Sequence, residues 1–421
     1  MEIKEAIEKS LFFFGAGVSF DAGCKLSSDM LDDLHNRIVS NVDETFDPVQ
    51  KETLRFLLSS LQFQSEWRNL EVLNDNYFNP NIEELALVIR RVKNRENFLP
   101  YPLTGNWADK LILLENEFHK HSIDGNLFDS IEMSIKNKLI PEWMAYSSLD
   151  YLSPIASFLE QNNDDLVLEI VSLNYDMVIE HFFEKRNMPP WRGFSNNIWV
   201  SFNGDVPVDF GRIHLYKIHG SVDWVRLTSG EARINKNLTP IELENIDEKH
   251  NPYVVFGQGS KSFSVDPFFS LIHNFKSLLQ KKNYIFVIGY SFFDPYINNL
   301  LIEAANMENK KIVIVNPFFG PNGLCDSLKG NLSADTFFEG KDKNGSIDYK
   351  LLISYIENIQ RNSYYSEIPE FNISVISGDS SLFYMPIGFS QFLNTFFPNN
   401  GRRFTELIDK FEEEAKINTP F

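Results

Sequence analysis

Cysteine and basic charge are both scarce in this chain, and each scarcity removes a class of function. Only Cys24 and Cys325 occur in 421 residues. Two cysteines exclude a disulfide framework and a four-cysteine zinc site, so the chain is expected to need no metal. Lys and Arg number 39 against 58 Asp and Glu, a formal net charge of −19, and no block of consecutive basic residues appears. A dedicated nucleic-acid binder normally has the opposite balance, because neutralising phosphates supplies most non-specific affinity; no direct nucleic-acid binding is expected. The sequence also lacks a long apolar run near its start. Met1 to Ser10 alternate charge and apolarity, and the run after them is too short for a signal sequence or a membrane span, so a cytoplasmic location is expected, with no membrane partner. Internal repeats and low-complexity tracts are missing as well.

What is present is an ordinary globular composition, 43% hydrophobic and 23% charged, with an unusual 38 Phe. The length suits one large α/β domain with a sizeable insertion, or two domains. The stretch around which the rest is organised is Leu11-Phe12-Phe13-Phe14-Gly15-Ala16-Gly17-Val18-Ser19. Four consecutive apolar residues need burial on both faces, as in a parallel sheet, and Gly15 and Gly17 permit a tight turn with its backbone exposed to a ligand. Ser27-Ser28-Asp29 can then cap a helix in which Met30, Leu31, Leu34 and Ile38 recur at helical spacing. Strand, glycine turn and helix together make an anion site, since free backbone N–H groups can point at a diphosphate. The same pattern also fits a plain turn with no ligand. The dehydrogenase fingerprint is broken, because Phe20 stands where its third glycine belongs, and no Gly-Lys-Ser or Gly-Lys-Thr follows for a Walker loop.

Residues 41–150 change character. Leu54, Phe56, Leu57, Leu58 and Leu61, then Ile82, Leu85, Ala86, Val88 and Ile89, then Leu111, Leu113, Leu114 and Phe118 predict amphipathic helices, broken at Asn79-Pro80-Asn81 and Pro100-Tyr101-Pro102. Strand signals return at Leu166–Val171, which runs into Asn174-Tyr175-Asp176, and at Ile213–Ile218, which ends in His219-Gly220. The loop region 189–212 allows one hairpin, and residues 221–250 show little periodicity. Tyr253–Phe256 predicts a short strand. Tyr284–Ile288 and Lys311–Val315 read as central strands, ending in Gly289-Tyr290-Ser291 and in Asn316. Residues 318–348 read as an exposed polar loop, Ile373–Ile376 as a last strand ending at Gly378-Asp379, and Phe404, Leu407, Ile408 and Phe411 as the apolar face of a terminal helix.

Five polar motifs thus fall at the carboxyl ends of five predicted strands, where an open α/β sheet binds its ligand. Asn174 and Asp176 flank Tyr175 and can point into one crevice, or form an Asx turn opening the next helix. His219 can act as a general base, since imidazole titrates near neutrality. Asp294 fits either a ligand contact or a helix cap.

The order of these motifs resembles that of the sirtuins: Gly-Ala-Gly-Val-Ser at 15–19, Asn-Tyr-Asp at 174–176, His-Gly at 219–220, Gly-Tyr-Ser at 289–291 and a late Asn at 316. The resemblance covers about 10–40 and 165–320. It implies an α/β, Rossmann-like, mostly parallel sheet with a helical insertion and no zinc ribbon, divided as 1–40 and 151–320 for the NAD-binding unit, 41–150 for the insertion and 321–421 for a closing segment. It implies NAD as substrate, with Asn174, His219 and Asp176 catalytic and Gly15, Ala16, Gly17, Ser19, Gly289, Ser291 and Asn316 holding the nucleotide. The chain departs from the family where Pro-Asp-Phe-Arg is replaced by Cys24-Lys25-Leu26-Ser27, and where no zinc ribbon is encoded. Bacterial sirtuin-like proteins of this form resemble NAD-depleting effectors of antiphage defence, which implies an NAD+ hydrolase, a homo-oligomer and a HerA-type hexameric ATPase as partner. A protein deacylase and a non-catalytic NAD or ADP-ribose binding module are the alternatives.

Overall fold

The computed structural model describes residues 1–40, 44–71, 80–94, 96, 99–104, 108–121, 125–162, 166–202, 211–257, 265–292, 294–317, 374–375 and 382–417. Its frame is a seven-stranded sheet built from the apolar runs read above. In chain order the strands are β1 (Ser10–Phe14), β2 (Leu168–Ser172), β3 (Phe194–Ser195), β4 (Ile198–Trp199), β5 (Ile213–Lys217), β6 (Trp224–Arg226), β7 (Ala232–Ile234), β8 (Tyr284–Ile288), β9 (Lys311–Val315), β10 (Ser374–Val375) and β11 (Leu382–Met385). The main sheet has the order β10-β11-β9-β8-β1-β2-β5, parallel throughout except for the β10 edge. β1 lies at its centre, with Phe12 in register with Ile170 on one side and Phe286 on the other. The expectation of an α/β, Rossmann-like, mostly parallel sheet is met.

Side chains alternate across a strand, so β1 feeds two cores. Phe12 and Phe14 face a layer formed by α1 (Ile3–Glu8), α9 (Ser153–Gln161), α14 (Phe389–Phe396) and α15 (Pro398–Ile417), while Leu11 and Phe13 face α12 (Phe268–Lys281) and α13 (Pro295–Ala305). The phenylalanines fill the first layer ring against ring: Phe12 stacks on Phe286 with centroids 5.6 Å apart, and Phe14 meets Phe389 edge-on at 5.0 Å. Phe404, Leu407, Ile408 and Phe411 are fully buried along α15, as their spacing predicts.

A third core belongs to the helices between β1 and β2: α2 (Ser27–Val39), α3 (Pro48–Glu71), α4 (Ile82–Asn94), α5 (Tyr101–Thr104), α6 (Ala108–His121), α7 (Leu127–Ser134) and α8 (Ile140–Trp143). This core also takes in Tyr175 and Val254, so the helical layer packs on the loops at the carboxyl ends of the strands. Two short helices complete the main chain's course, α10 (Val178–Glu184) after β2 and α11 (Pro240–Glu244) after β7.

Several local expectations need correction. Helix α2 starts at Ser27 with Leu26 at its cap, and Asp29 Oδ2 accepts the Leu26 N–H at 3.3 Å, so neither Ser27 nor Ser28 caps it. Leu113 is 65% exposed: Leu111, Leu114 and Phe118 form the buried face of α6, one turn apart, and Leu113 falls off it. Residues Tyr253–Phe256 form no strand, and Val254 makes only a single bridge to Gly220. Residues 221–250, read as irregular, contain β6 and β7. With β3 and β4 these make a small antiparallel sheet, ordered β3-β4-β7-β6, whose strands of two or three residues are too short for a periodic signal. The sequence pattern does not predict β11. The stretch 318–348 and Gly378-Asp379 lie outside the described residues.

The glycines after β1 are required by packing. A Cβ on Gly17 would stand 2.8 Å from Gly289 Cα, and one on Gly15 would stand 2.5 Å from Tyr290 Cα. Gly289 itself has φ +63°, in the left-handed region. Backbone faces backbone here, so no side chain can give way. Gly17→Ala is therefore expected to cost about 2–3 kcal/mol, while Gly125→Ala, whose nearest contact is Phe118 at 3.8 Å, stays near neutral. Thermal unfolding of the two variants checks this; equal midpoints would refute it.

Candidate active site

Going from β1 to β2 to β5 the chain builds one half of the sheet, then returns to place β8 on the other side of β1. The connections from β1 and β8 therefore part in opposite directions, which opens a crevice at the carboxyl ends of these strands. A cleft lies there, of about 880 Å3 counted out to its open mouth. Its walls carry Ala16 and Ser19 after β1, Asn174 and Asp176 after β2, His219 after β5, and Ser291 and Asp294 after β8. Helix α4 closes one side with Ile82 and Glu83.

Asn174 is fixed by its amide nitrogen, which donates to the Gly15 carbonyl at 3.0 Å and to Ser19 Oγ at 3.1 Å. A carbonyl only accepts, so the atom facing Gly15 must be Nδ2, and this settles the orientation of the amide. Both its hydrogens are used, and the carbonyl Oδ1 is the atom left to receive a hydrogen bond from a ligand or water. The backbone N–H of Asn174 donates to Ser172 Oγ at 3.1 Å, which holds the turn out of β2.

His219 sits one residue beyond Ile218, whose N–H still joins the sheet through the Ser172 carbonyl. Its Nε2 is 3.3 Å from Asp294 Oδ2, at ion-pair distance and off the line of a well-formed hydrogen bond. Asp294 does both things the sequence allowed. Its Oδ1 caps α13, accepting the N–H of Tyr296 at 2.8 Å and of Ile297 at 3.3 Å, and its Oδ2 holds the imidazole. Burial alone would raise the Asp294 carboxyl, but His219 and the cap amides outweigh it and hold it below the usual carboxylate value. A carboxylate within ion-pair distance of one ring nitrogen favours a proton on that nitrogen.

Asp176 is 4% exposed, and its Oδ1 accepts the Val178 N–H at 2.9 Å, so the Asx-turn alternative describes part of its role. Burial pushes its carboxyl up, against the pull of Lys217 and of the Ser19 hydroxyl. Beneath it Lys217, itself 2% exposed, donates to Glu180 Oε1 at 2.9 Å, to Ser221 Oγ at 3.0 Å and to the Asp176 carbonyl. Arg192 extends the network, 3.4 Å from Glu180 Oε1 and 2.9 Å from Asp223 Oδ2.

Not every residue singled out from the sequence reaches the cleft. Ala16, Ser19, Asn174, Asp176, His219 and Ser291 line it; Gly15, Gly17, Gly289 and Asn316 do not. The three glycines serve the close packing of two loops. The Asn316 N–H donates to Met385 and its carbonyl accepts from the Tyr384 hydroxyl at 3.0 Å, which ties β9 to β11. The amides after β1 also differ from an open anion cradle. Those of Gly15, Gly17, Val18 and Ser19 donate to the carbonyls of Ile288, Gly289, Gly15 and Ala16. Lys25, whose Nζ is 3.6 Å from Asp33 Oδ1, instead brings a cation to the lining. Cys24 lines the cleft too, but burial, with the Asp176 charge added, pushes its thiol up to about 12, so it is no nucleophile at neutral pH. Among the described residues no group of three or more His, Cys, Asp or Glu could hold a metal ion, and no helix is long and apolar enough to cross a membrane.

The residue missed altogether is Glu83. It carries no sequence signal, because Asn81-x-x-Glu84 already accounts for the acidic start of α4 as a capping box.

The fold and cleft define an α/β protein with an open cleft at the switch point of its sheet. Residues 168–322 match the family model of the SIR2-like domain, a span that includes β2, β5, β8 and β9 but not β1 and its glycine loop. Among solved structures the chain is similar to a complex of Sir2 with a p53 peptide and NAD+, at 13% identity over 86% of this chain and 99% of that one, with a TM-score of 0.31. It is also similar to a structure described as the structural basis of sirtuin substrate affinity, at 12% identity over 97% of this chain and 99% of that one, with a TM-score of 0.34. No curated protein matches the sequence.

Proposed function

We propose that the protein hydrolyses NAD+ to nicotinamide and ADP-ribose in this cleft. The observation that carries the reading is the meeting of Asn174 and His219 in the lining of one cleft, each held by its neighbours. The match of residues 168–322 to the SIR2-like domain supports it.

Nicotinamide departs from a positively charged ring nitrogen and needs no acid to leave. What the reaction needs is a fixed ribose, a placed water and a proton acceptor around an oxocarbenium-like state. Asn174 Oδ1 positions the water or a ribose hydroxyl, and His219, held by Asp294, takes the proton. Asp176 supports the nicotinamide amide, and Ser19 and Ser291 meet the phosphates and ribose. Gly15, Gly17 and Gly289 contribute by letting the two loops approach, and Asn316 by anchoring β9. Residues 1–40 and 151–320 make up the NAD-binding unit, 41–150 the helical insertion and 321–421 the segment that closes it. In the cell the activity would deplete NAD in defence against phage, with the chain assembled as a homo-oligomer and triggered by a HerA-type ATPase.

The deciding experiment is to incubate the purified chain with NAD+, alone and with the products of its genomic neighbours, and to follow nicotinamide and ADP-ribose by mass spectrometry. Release without any acylated peptide is the expected result; release only with such a peptide would make it a deacylase, and no release under any condition would leave a binding module. The same release is expected to persist in excess EDTA, and its loss on chelation with recovery on adding a divalent metal would refute the metal-free reading.

A further inference from the structure

Glu83 enters the cleft from the helical layer, outside the span that matches the SIR2-like domain. It is not needed to start its helix. Asn81 Oδ1 accepts the N–H groups of Glu83 and Glu84 at 2.9 and 3.1 Å, and Glu84 Oε2 accepts the Asn81 N–H at 3.3 Å, which completes the capping box without the Glu83 side chain. The Glu83 carboxyl instead crosses to the site. Its Oε2 accepts the Gly257 N–H at 2.9 Å, and its Oε1 lies 3.2 Å from the Tyr175 hydroxyl.

The Tyr175 contact says which form of the carboxyl the site can hold. Tyr175 Oη is also 2.6 Å from the Val255 carbonyl, which can only accept, so the single hydroxyl proton goes there. The contact to Glu83 is then a hydrogen bond when Glu83 carries a proton and donates it to Tyr175 Oη. The site is thus built to accept a proton on this carboxyl. Burial pushes the carboxyl above its usual value and the Asp294 charge adds to this, while His219, the Gly257 N–H and the Tyr175 hydroxyl pull it partly back. The other ionisable groups around it are Asp294 at the N-terminal cap of α13, Tyr175 after β2, and Cys24, Lys25 and Asp176 in the cleft walls.

We propose that Glu83 is the second half of the acid–base group of this cleft: with His219 it takes up the one proton that water releases on adding to the anomeric carbon of the bound ribose. The inference rests on the NAD-hydrolysis reading above. In that reaction the electron pair of the glycosidic C–N bond goes to the pyridinium nitrogen, which leaves as neutral nicotinamide. The water oxygen forms the new bond to the anomeric carbon, one of its O–H bonds breaks, and the proton is shared between the His219 imidazole and the Glu83 carboxylate.

Glu83→Gln separates this role from a structural one. Glutamine keeps an acceptor for the Gly257 N–H and can donate to Tyr175 Oη, so it rescues packing and removes only proton uptake. The full chain is compared with the variant under conditions where the parent releases nicotinamide from NAD+. The expected variant keeps its thermal midpoint within a few degrees, loses about 10- to 100-fold in kcat with little change in KM, and lacks the part of the parent's pH–rate profile that the Glu83 carboxyl contributes. A folded variant with the parent's kcat and pH profile would overturn the assignment of Glu83 alone. If glutamine lowers the midpoint by more than a few degrees, Glu83→Asp decides: a folded variant with a displaced pH profile supports the pairing, and one with the parent's rate and profile overturns it. A parent that releases no nicotinamide at all overturns the hydrolase reading and this inference with it.

Discussion

Asn174→Ala and His219→Ala are each expected to yield a folded protein that releases almost no nicotinamide. Both side chains lie beyond the ends of their strands, at half-buried positions, so the apolar cores on either face of β1 do not depend on them. Removing the Asn174 amide frees the Gly15 carbonyl and Ser19 Oγ at the edge of an open cleft, where water can replace the lost partner. That costs on the order of 1 kcal/mol. Loss of a general base costs about 100-fold or more in rate, far beyond what so small a change in stability produces. The two losses are also expected to be non-additive, since a water that is placed but not deprotonated, or the reverse, reacts no faster than one that is neither. Circular dichroism, thermal midpoint and nicotinamide release, measured on the two single variants and the double, test this. Should both folded single variants cleave NAD+ at the parent rate, hydrolysis through Asn174 and His219 is wrong.

Lys217→Met is expected to have the largest effect on stability, about 3–5 kcal/mol, because it strips a buried carboxylate of its nearest cation. Glu180 is 1% exposed and would be left with Arg192 at 3.4 Å, while Arg192 is already engaged by Asp223 at 2.9 Å. The same substitution releases the Asp176 carbonyl and so loosens the turn that carries Asn174 and Asp176. Adding Glu180→Leu to Lys217→Met should recover much of the loss, because the orphaned charge goes with it. Denaturant unfolding of the single and double variants measures both effects; a single variant as stable as the parent would show that the network is incidental to the fold.

The strands at the centre were legible because a strand buried on both faces must read as an apolar run, and each of these runs stops at a residue that a sheet does not use. Phe14-Gly15, Ser172 before Asn174, Ile218-His219, Ile288-Gly289 and Val315-Asn316 are all such stops, and all fall at the carboxyl edge of the sheet. Gly15 and Gly17 mark a close approach of backbone, which is what a glycine pair signals, and the partner seen is the Gly289-Tyr290 backbone. Strand signals failed where strands are short, as in β6 and β7, or where a single bridge replaces a ladder, as at Val254.

By itself, the sequence determined the α/β class, the five strand ends and the candidates Asn174 and His219, since apolar runs and the polar residues that end them are local features of the chain. Tertiary structure decided everything that depends on two distant segments meeting. Asp294 lies 75 positions from His219 and holds it through one carboxylate oxygen while capping a helix with the other. Glu83 reaches the cleft because the helical layer packs on Tyr175 and Val254, 92 and 171 positions further along the chain. No local pattern records such a meeting. A carboxylate on the first turn of a helix looks the same in sequence whether it faces water or a buried proton, and only the packing of the layers distinguishes the two.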